Sequence, residues 1–278
     1  MSKAKPRTAR VETDRIAPSR LIETAHALAD ASGKVILKHF RKPIAVDNKA
    51  AAGHYDPVTE ADRAAERVIR RHLKTLHPDH AILGEEMGHT SGTSPYTWVI
   101  DPIDGTRAFI TGMPLWGTLI GLNYGPQAEF GMMDQPFTGE RIWSAPGATQ
   151  WRGPDGRSRR VKTAECPRLA DARLTTTTPD MFTDSHEQEA FARLKKSTRL
   201  TRFGGDCYAY CLLAAGHIDI IVESGLKPYD VVALVAIIER AGGVITTWDG
   251  KRPEAGGRIL ACGDPRLHAA ALKITAER

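Results

Sequence analysis

Between Trp98 and Thr106 the chain reads Trp-Val-Ile-Asp-Pro-Ile-Asp-Gly-Thr, and this stretch constrains the fold more than any other. Trp98, Val99 and Ile100 predict a short buried strand, which ends in two aspartates, Asp101 and Asp104. Gly105 follows as a turn residue and Thr106 as a helix N-cap type. Two hard carboxylates at a strand end, facing the free N–H groups of a helix start, can hold Mg²⁺ and a phosphate together. A metal-dependent phosphatase needs that equipment.

The rest of the chain has to build a core around this strand. With 278 residues, 41% of them hydrophobic, it is long enough for one substantial core in two lobes. The formal charge of +5 is concentrated in residues 1–20, where Lys3, Lys5, Arg7, Arg10, Arg15 and Arg20 oppose Glu12 and Asp14. Residues 1–19, with Pro6, Pro18 and no apolar periodicity, read as a basic flexible tail. Residues 20–278 read as a single catalytic domain, with lobes at about 20–155 and 156–278. The tail has no aromatic interleaving, so no specific nucleic-acid partner is expected. No apolar run reaches bilayer length and no secretory leader is visible, so no membrane partner is expected either. Cys166, Cys207, Cys211 and Cys262 form no Cys-x-x-Cys pair and read as buried free thiols, which suits a reducing cytoplasm.

Helical periodicity spans residues 21–40 and 59–76, the second with Thr59 as its cap. Strands dominate to about residue 151. From about residue 173 strand and helix alternate, with strands at 174–178, 218–223 and 243–247 and helices at 186–196, 207–216 and 231–241. Gly242-Gly243 reads as a helix stop and residues 157–160 as an exposed basic turn. Trp116, Tyr208 and Tyr210 read as packing residues.

Four spaced motifs accompany the central strand: Asp56-Pro57-Val58-Thr59-Glu60-Ala61-Asp62, Gly84-Glu85-Glu86, Asp101 to Thr106, and Pro228-Tyr229-Asp230-Val231-Val232-Ala233 before Ala241-Gly242-Gly243. In order and spacing they resemble the inositol monophosphatase family of Mg²⁺-dependent, lithium-sensitive phosphatases over roughly residues 20–275. The resemblance implies a five-layer αβαβα sandwich, usually dimeric. It implies two or three Mg²⁺ ions per site, with Mn²⁺ as a substitute and Li⁺ as an inhibitor. Their ligands would be Glu85, Asp101, Asp104, Asp230 and the Ile103 carbonyl. Adjacent strand residues point to opposite faces, so only one of Glu85 and Glu86 can reach the site, and the resemblance selects Glu85. Thr106 and Asp56 would orient and activate the attacking water beside Glu85, and the phosphate would sit on the N–H groups of Gly105 and Thr106.

Three segments depart from the inositol-cleaving members: Arg107-Ala108-Phe109, Lys227-Pro228-Tyr229-Asp230, and residues 202–210. All three look like the histidinol-phosphate phosphatase branch. On that reading Gly204, Gly205, Asp206 and Glu223 bind the substrate, since an ammonium and an imidazole call for carboxylates beyond the metal cluster. Bland readings compete at several positions: Asp104, Thr106 and Asp206 are all common helix-cap or turn residues. Arg202 is open between orienting Asp206 and bridging a dimer contact. The expected activity is Mg²⁺-dependent hydrolysis of L-histidinol phosphate, a step of histidine biosynthesis, by direct attack of a metal-activated water. The alternatives are an inositol-1-monophosphatase, a 3'-nucleotide (bisphosphate) phosphatase and, in another class, an RNA- or transcription-associated binding protein.

Overall fold

The computed structural model describes residues 16–48 and 57–276. The basic tail before residue 16, and residues 49–56 with Asp56 among them, lie outside the described residues. Helix α1 (Pro18–Ile36) opens with proline at its first turn and buries Leu21, Ala25, Leu28, Ala29, Ser32 and Ile36 at helical spacing. It ends four residues earlier than the periodicity suggests, because residues 37–42 continue as turns. A short antiparallel pair, β1 (Val46–Asn48) and β2 (Pro57–Thr59), leads into α2 (Glu60–Leu76). Thr59 caps α2 as expected: its hydroxyl oxygen accepts from the Ala61 N–H, while Asp62 accepts from the Thr59 N–H.

The next segment forms one large sheet. Its strands are β3 (Ala81–Gly84), β4 (Gly88–Thr90), β5 (Tyr96–Asp104), β6 (Gly117–Tyr124), β7 (Gln127–Gln135), β8 (Glu140–Ala145), β9 (Ala148–Arg152) and β10 (Ser158–Val161). They lie in the order β10-β9-β8-β7-β6-β5-β3-β4, antiparallel except where β3 runs parallel to β5. The five-residue helix α3 (Thr106–Ile110) follows β5 directly. Residues 158–161 extend this sheet as an edge strand, so the basic segment read as a turn instead follows the turn at Pro154 and Asp155.

A second sheet takes β11 (Arg173–Thr176), β12 (Leu200–Phe203), β13 (Ile220–Leu226), β14 (Val244–Thr247) and β15 (Gly257–Cys262) in the order β12-β11-β13-β15-β14. Its helices are α4 (Ser185–Ser197), α5 (Asp206–Ala214), α6 (Pro228–Ala241) and α7 (Pro265–Ala276). Sequence periodicity missed β12, β15 and α7. β12 is four residues long and mostly exposed, β15 is a run buried without alternation, and α7 buries only Leu267, His268, Ala271 and Thr275, a weak apolar stripe. At the end of α6 only Gly242 takes the left-handed conformation, at φ 98°, so one glycine of the pair makes the stop.

Three cores hold five layers in register. Leu28, Ile69, Trp98, Ile100 and Phe130 join α1 and α2 to one face of the large sheet. Leu119, Met133, Tyr210, Val235 and Ile259 form the middle core, which places α5 and α6 between the sheets. Leu174, Phe191, Val222, Leu260 and Leu267 pack α4 and α7 on the outer face of the small sheet. The result is an αβαβα sandwich. Helix α6 is buried nearly all round, as its apolar sequence requires. It lies flush on the large sheet because a Cβ at Gly131 would come within 1.8 Å of the Ala233 carbonyl oxygen, and one at Gly121 within 2.9 Å of the Ala233 nitrogen.

Candidate active site

In a regular strand, residues three apart point to opposite faces. Asp101 and Asp104 would therefore be separated by the sheet if β5 were straight. It is not: Asp101 pairs with Leu119 and Asp104 with Gly117, so β5 spends one residue more than β6 across this interval. Such a bulge restores the parity and turns both carboxylates into one pocket. Pro102, which has no N–H to give the ladder, sits inside it, and its carbonyl accepts from Thr118 Oγ1 at 2.8 Å. Asp230 reaches the same pocket from the first turn of α6. Oxygens from Asp101, Asp104 and Asp230 all lie within 4.8 Å of one another.

Main-chain donors orient each of these carboxylates. Asp101 accepts from the Ile103 N–H at 3.0 Å, Asp104 from the Cys207 N–H at 2.6 Å and Asp230 from the Lys227 N–H at 2.7 Å. Burial, followed by the negative charges of Glu85, Asp104 and Asp230, pushes the Asp101 carboxyl well above the usual carboxylate range. Asp104 is raised in the same direction by burial and by Asp206 and Asp230. Asp230 is pushed up to about 7, chiefly by burial, with Glu85 and Glu223 adding repulsion.

Glu85 joins the group from the turn after β3, within hydrogen-bond reach of Asp101. The strand-alternation argument for choosing between Glu85 and Glu86 does not apply, because both residues lie in this turn. Their main chain separates them instead: the Glu85 N–H continues the ladder to the Ile100 carbonyl at 3.1 Å, whereas the Glu86 N–H goes to the Glu66 carboxylate at 2.8 Å.

Thr106 is not a cap. Gly105 holds the N-cap position of α3 at φ 84°, and the Thr106 hydroxyl donates to the Ile103 carbonyl at 3.1 Å. That carbonyl and Thr106 are thus fixed against each other at the rim of the carboxylate group. Asp56, expected beside Thr106, lies outside the described residues.

Asp206 and Glu223 stand on the other side. A cavity of about 130 Å³ is lined by Asp104, Asp206, Glu223 and Asp230, with Thr177 and Tyr210 beside them. Gly204 and Gly205 both take positive φ, 84° and 118°, and Asp206 follows at φ 44°. The cap of α5 is Gly205, so Asp206 is not spent on capping. Its side chain lies over Gly105 instead, where an added Cβ would meet Asp206 Cγ at 3.0 Å. Burial and the facing Glu223 push Asp206 up to about 7, while Arg107 acts against the shift. The cation facing Asp206 is therefore Arg107. Arg202 is exposed on β12, its carbonyl accepting from Thr175 Oγ1. Glu223 is 3% exposed, and its two oxygens accept from the Thr177 N–H at 2.9 Å and the Tyr210 hydroxyl at 2.8 Å. The packing assignment for Tyr210 missed this bond. A buried tyrosine needs a partner for its hydroxyl, and Glu223 was the acid within reach.

Comparison with known proteins agrees with this geometry. Residues 17–278 match the model of the inositol monophosphatase family. The chain belongs to that family. The bifunctional phosphatase IMPL2 of Arabidopsis thaliana chloroplasts is 42% identical over 270 residues, covering 91% of this chain and 74% of that protein. A histidinol-phosphatase of Streptomyces coelicolor is 34% identical over 253 residues, covering 89% and 93%. The solved inositol monophosphatase of Zymomonas mobilis superposes with a TM-score of 0.83 at 38% identity, covering 95% of this chain and all of that one.

Inositol monophosphatase family members are generally Mg²⁺-dependent, and the donor set here fits that ion. The three side chains that converge here, Asp101, Asp104 and Asp230, offer only oxygen, the preference of a hard cation. Carboxyls this close repel one another, which adds to burial in raising their proton affinities, and a cation among them would relieve that repulsion. Glu85, Asp101, Asp104 and Asp230 would hold such ions, with the Ile103 carbonyl at the edge of the group.

Proposed function

We propose that this phosphatase-family chain is a phosphoric monoester hydrolase for L-histidinol phosphate, releasing L-histidinol and phosphate. The observation that carries the reading is the second pair of carboxylates, Asp206 and Glu223, in the same cavity as Asp104 and Asp230. A leaving group with an ammonium and an imidazole meets complementary charge there, and an uncharged polyol does not. Membership of the family supports a phosphatase, and the likeness to a named histidinol-phosphatase accords with this choice of substrate.

When bound, Mg²⁺ supplies charge neutralisation at the phosphate and lowers the pKa of a water. The chain supplies position. Because the Thr106 hydroxyl donates to the Ile103 carbonyl, its lone pairs are free to accept from an incoming water and line it up with the phosphorus. Asp56 is assigned the support of Thr106: its carboxylate would take the hydroxyl proton in place of the Ile103 carbonyl and leave the lone pairs toward the water, while the N–H groups of Gly105 and Thr106 are assigned the outer phosphate oxygens. On the leaving side Glu223 is held rigid by Thr177 and Tyr210, so Asp206 is the carboxylate with freedom to engage the ammonium. Gly204 and Gly205 give the chain the left-handed path that brings Asp206 there. Among the described residues no helix is long and apolar enough to cross a membrane, and all four cysteines are free and buried. We place the protein in a reducing cytoplasm, as a homodimer on the family resemblance.

Asp206→Ala tests the substrate assignment. It should lower kcat/KM for histidinol phosphate by about tenfold or more and change that for p-nitrophenyl phosphate by less than about twofold. Equal losses on both would make Asp206 a structural residue and remove the basis for a cationic leaving group.

A further inference from the structure

The metal-ligand assignment for Glu85 raises the question of what fixes a glutamate carried on a turn. The ladder to Ile100 holds the turn from one side. On the other side the Glu66 carboxylate, fully buried on α2, accepts from the Glu86 N–H at 2.8 Å and the Met87 N–H at 3.1 Å. It also accepts from Arg70 Nε at 2.7 Å, one helical turn further on. Arg70 then spans the same turn, donating to the Gly88 carbonyl and to Thr90 Oγ1. Gly84 completes the fit: a Cβ there would sit 2.1 Å from Glu66 Oε1 and 2.8 Å from Arg70 Nη2.

A buried carboxylate that takes two consecutive main-chain N–H groups immediately after Glu85, braced by its own guanidinium, does more than fill space. We infer that Glu66, with Arg70, is a positioning residue for metal binding: it fixes the turn that presents Glu85 to Asp101. Helix α2 thereby becomes a beam, linking the residues around Thr59 and Asp62 at its start to Glu85 through its middle. Glu66 touches neither substrate nor ion and acts only through Glu85. The inference rests on the reading of Glu85 as a metal ligand.

The test is calorimetric titration of the metal-free full-length chain with Mg²⁺, alongside its unfolding midpoint. Glu66→Gln puts an amide donor against N–H donors and should weaken Mg²⁺ affinity by about 10- to 100-fold, the usual cost of losing a group that orients a metal ligand. Arg70→Lys keeps the charge but cannot span Glu66, Gly88 and Thr90 together. It should give a smaller loss in the same direction, and it reads the effect if Glu66→Gln does not fold. In the Glu85→Gln background, Glu66→Gln should cost no further affinity, since the two residues act as one unit. A wild-type Mg²⁺ affinity in both Glu66→Gln and Arg70→Lys, with only the unfolding midpoint lowered, would overturn the inference. So would full multiplication of the losses in the double variant. Wild-type affinity in Glu85→Gln alone would instead remove the ligand assignment on which the inference stands.

Discussion

At the scale of single residues, the site depends on carboxylates whose orientation is set by main-chain N–H groups. Asp104 is the sharpest case, because it stands among the carboxylates assigned to the metal and is also tied to the start of α5 through the Cys207 N–H. Asp104→Asn can keep that bond through its amide oxygen while losing the charge. Phosphate release should fall by about a hundredfold or more with circular dichroism and unfolding midpoint near wild type. Normal turnover in that variant would exclude Asp104 from the metal group. Tyr210 has a different role. Its hydroxyl is the donor to one oxygen of the buried Glu223, so Tyr210→Phe leaves an acceptor without its partner. Urea unfolding should show a loss of about 1–3 kcal/mol. An unchanged midpoint would mean that Glu223 finds another donor. The sequence announced the acids themselves, because Asp-x-x-Asp at a strand end is rare and its chemistry specific. It did not announce Tyr210, Arg107 or Glu66, whose relevance comes from contacts between residues distant in the chain.

At the scale of elements, the bulge in β5 and the close seat of α6 convert a linear motif into a site. Periodicity placed the strand, but only the register against β6 reveals that Asp101 and Asp104 share a face. Likewise the apolar run of α6 was legible, whereas the reason for its depth was not. That reason lies in Gly121 and Gly131, which read as ordinary strand glycines until α6 is laid across them. Gly131→Ala must displace α6 and, with it, Asp230. Overpacking of this kind costs about 1–3 kcal/mol, and Mg²⁺-dependent turnover should fall with it. An alanine variant of native stability and activity would show that α6 has slack. The junction of α2 with β3 carries a pH-dependent contact. His80 stacks on His77 at 4.5 Å and on Tyr96 at 5.1 Å, and accepts from Trp98 Nε1 through Nδ1 at 3.0 Å. Burial, with His77 adding to it, pushes His80 from 6.5 down to about 4. The fold therefore prefers the neutral ring. Above pH 6.5 both folded and unfolded chains leave it neutral and its contribution is intact. Between 6.5 and about 4 the unfolded chain takes up a proton that the folded one refuses, and stability is lost. Asp206 and Asp230, held up to about 7, act in the opposite sense, losing their contribution as pH rises from the ordinary carboxylate value. The histidine effect is thus read as a difference: His80→Asn should unfold with a shallower acid slope than wild type between pH 6.5 and 4. Parallel slopes would contradict the assignment.

At the scale of the whole molecule, the two sheets and their three helical layers bring five separate chain segments to one group of carboxylates and the cavity beside it. Three of them, the turn at Glu85, β5 and the start of α6, carry motifs by which the family is recognised. The left-handed path into Asp206 and the middle of β13 at Glu223 bring in the two further carboxylates on which the proposed choice of substrate rests. The layered fold followed from the order of strands and helices. β12, the interior strand β15 and the last helix did not, because none of them shows a strong local alternation of apolar and polar residues. The central claim is that this cavity hydrolyses a cationic phosphomonoester with Mg²⁺. Its most direct test is phosphate release from histidinol phosphate, inositol-1-phosphate and 3'-phosphoadenosine 5'-phosphate in parallel, with Mg²⁺ and with chelator. The account predicts that chelator abolishes release and that Mg²⁺ gives a preference of about a hundredfold for histidinol phosphate, equal to about 2.7 kcal/mol between the competing transition states. Release that persists in chelator, or similar slow rates on all three esters, would contradict it.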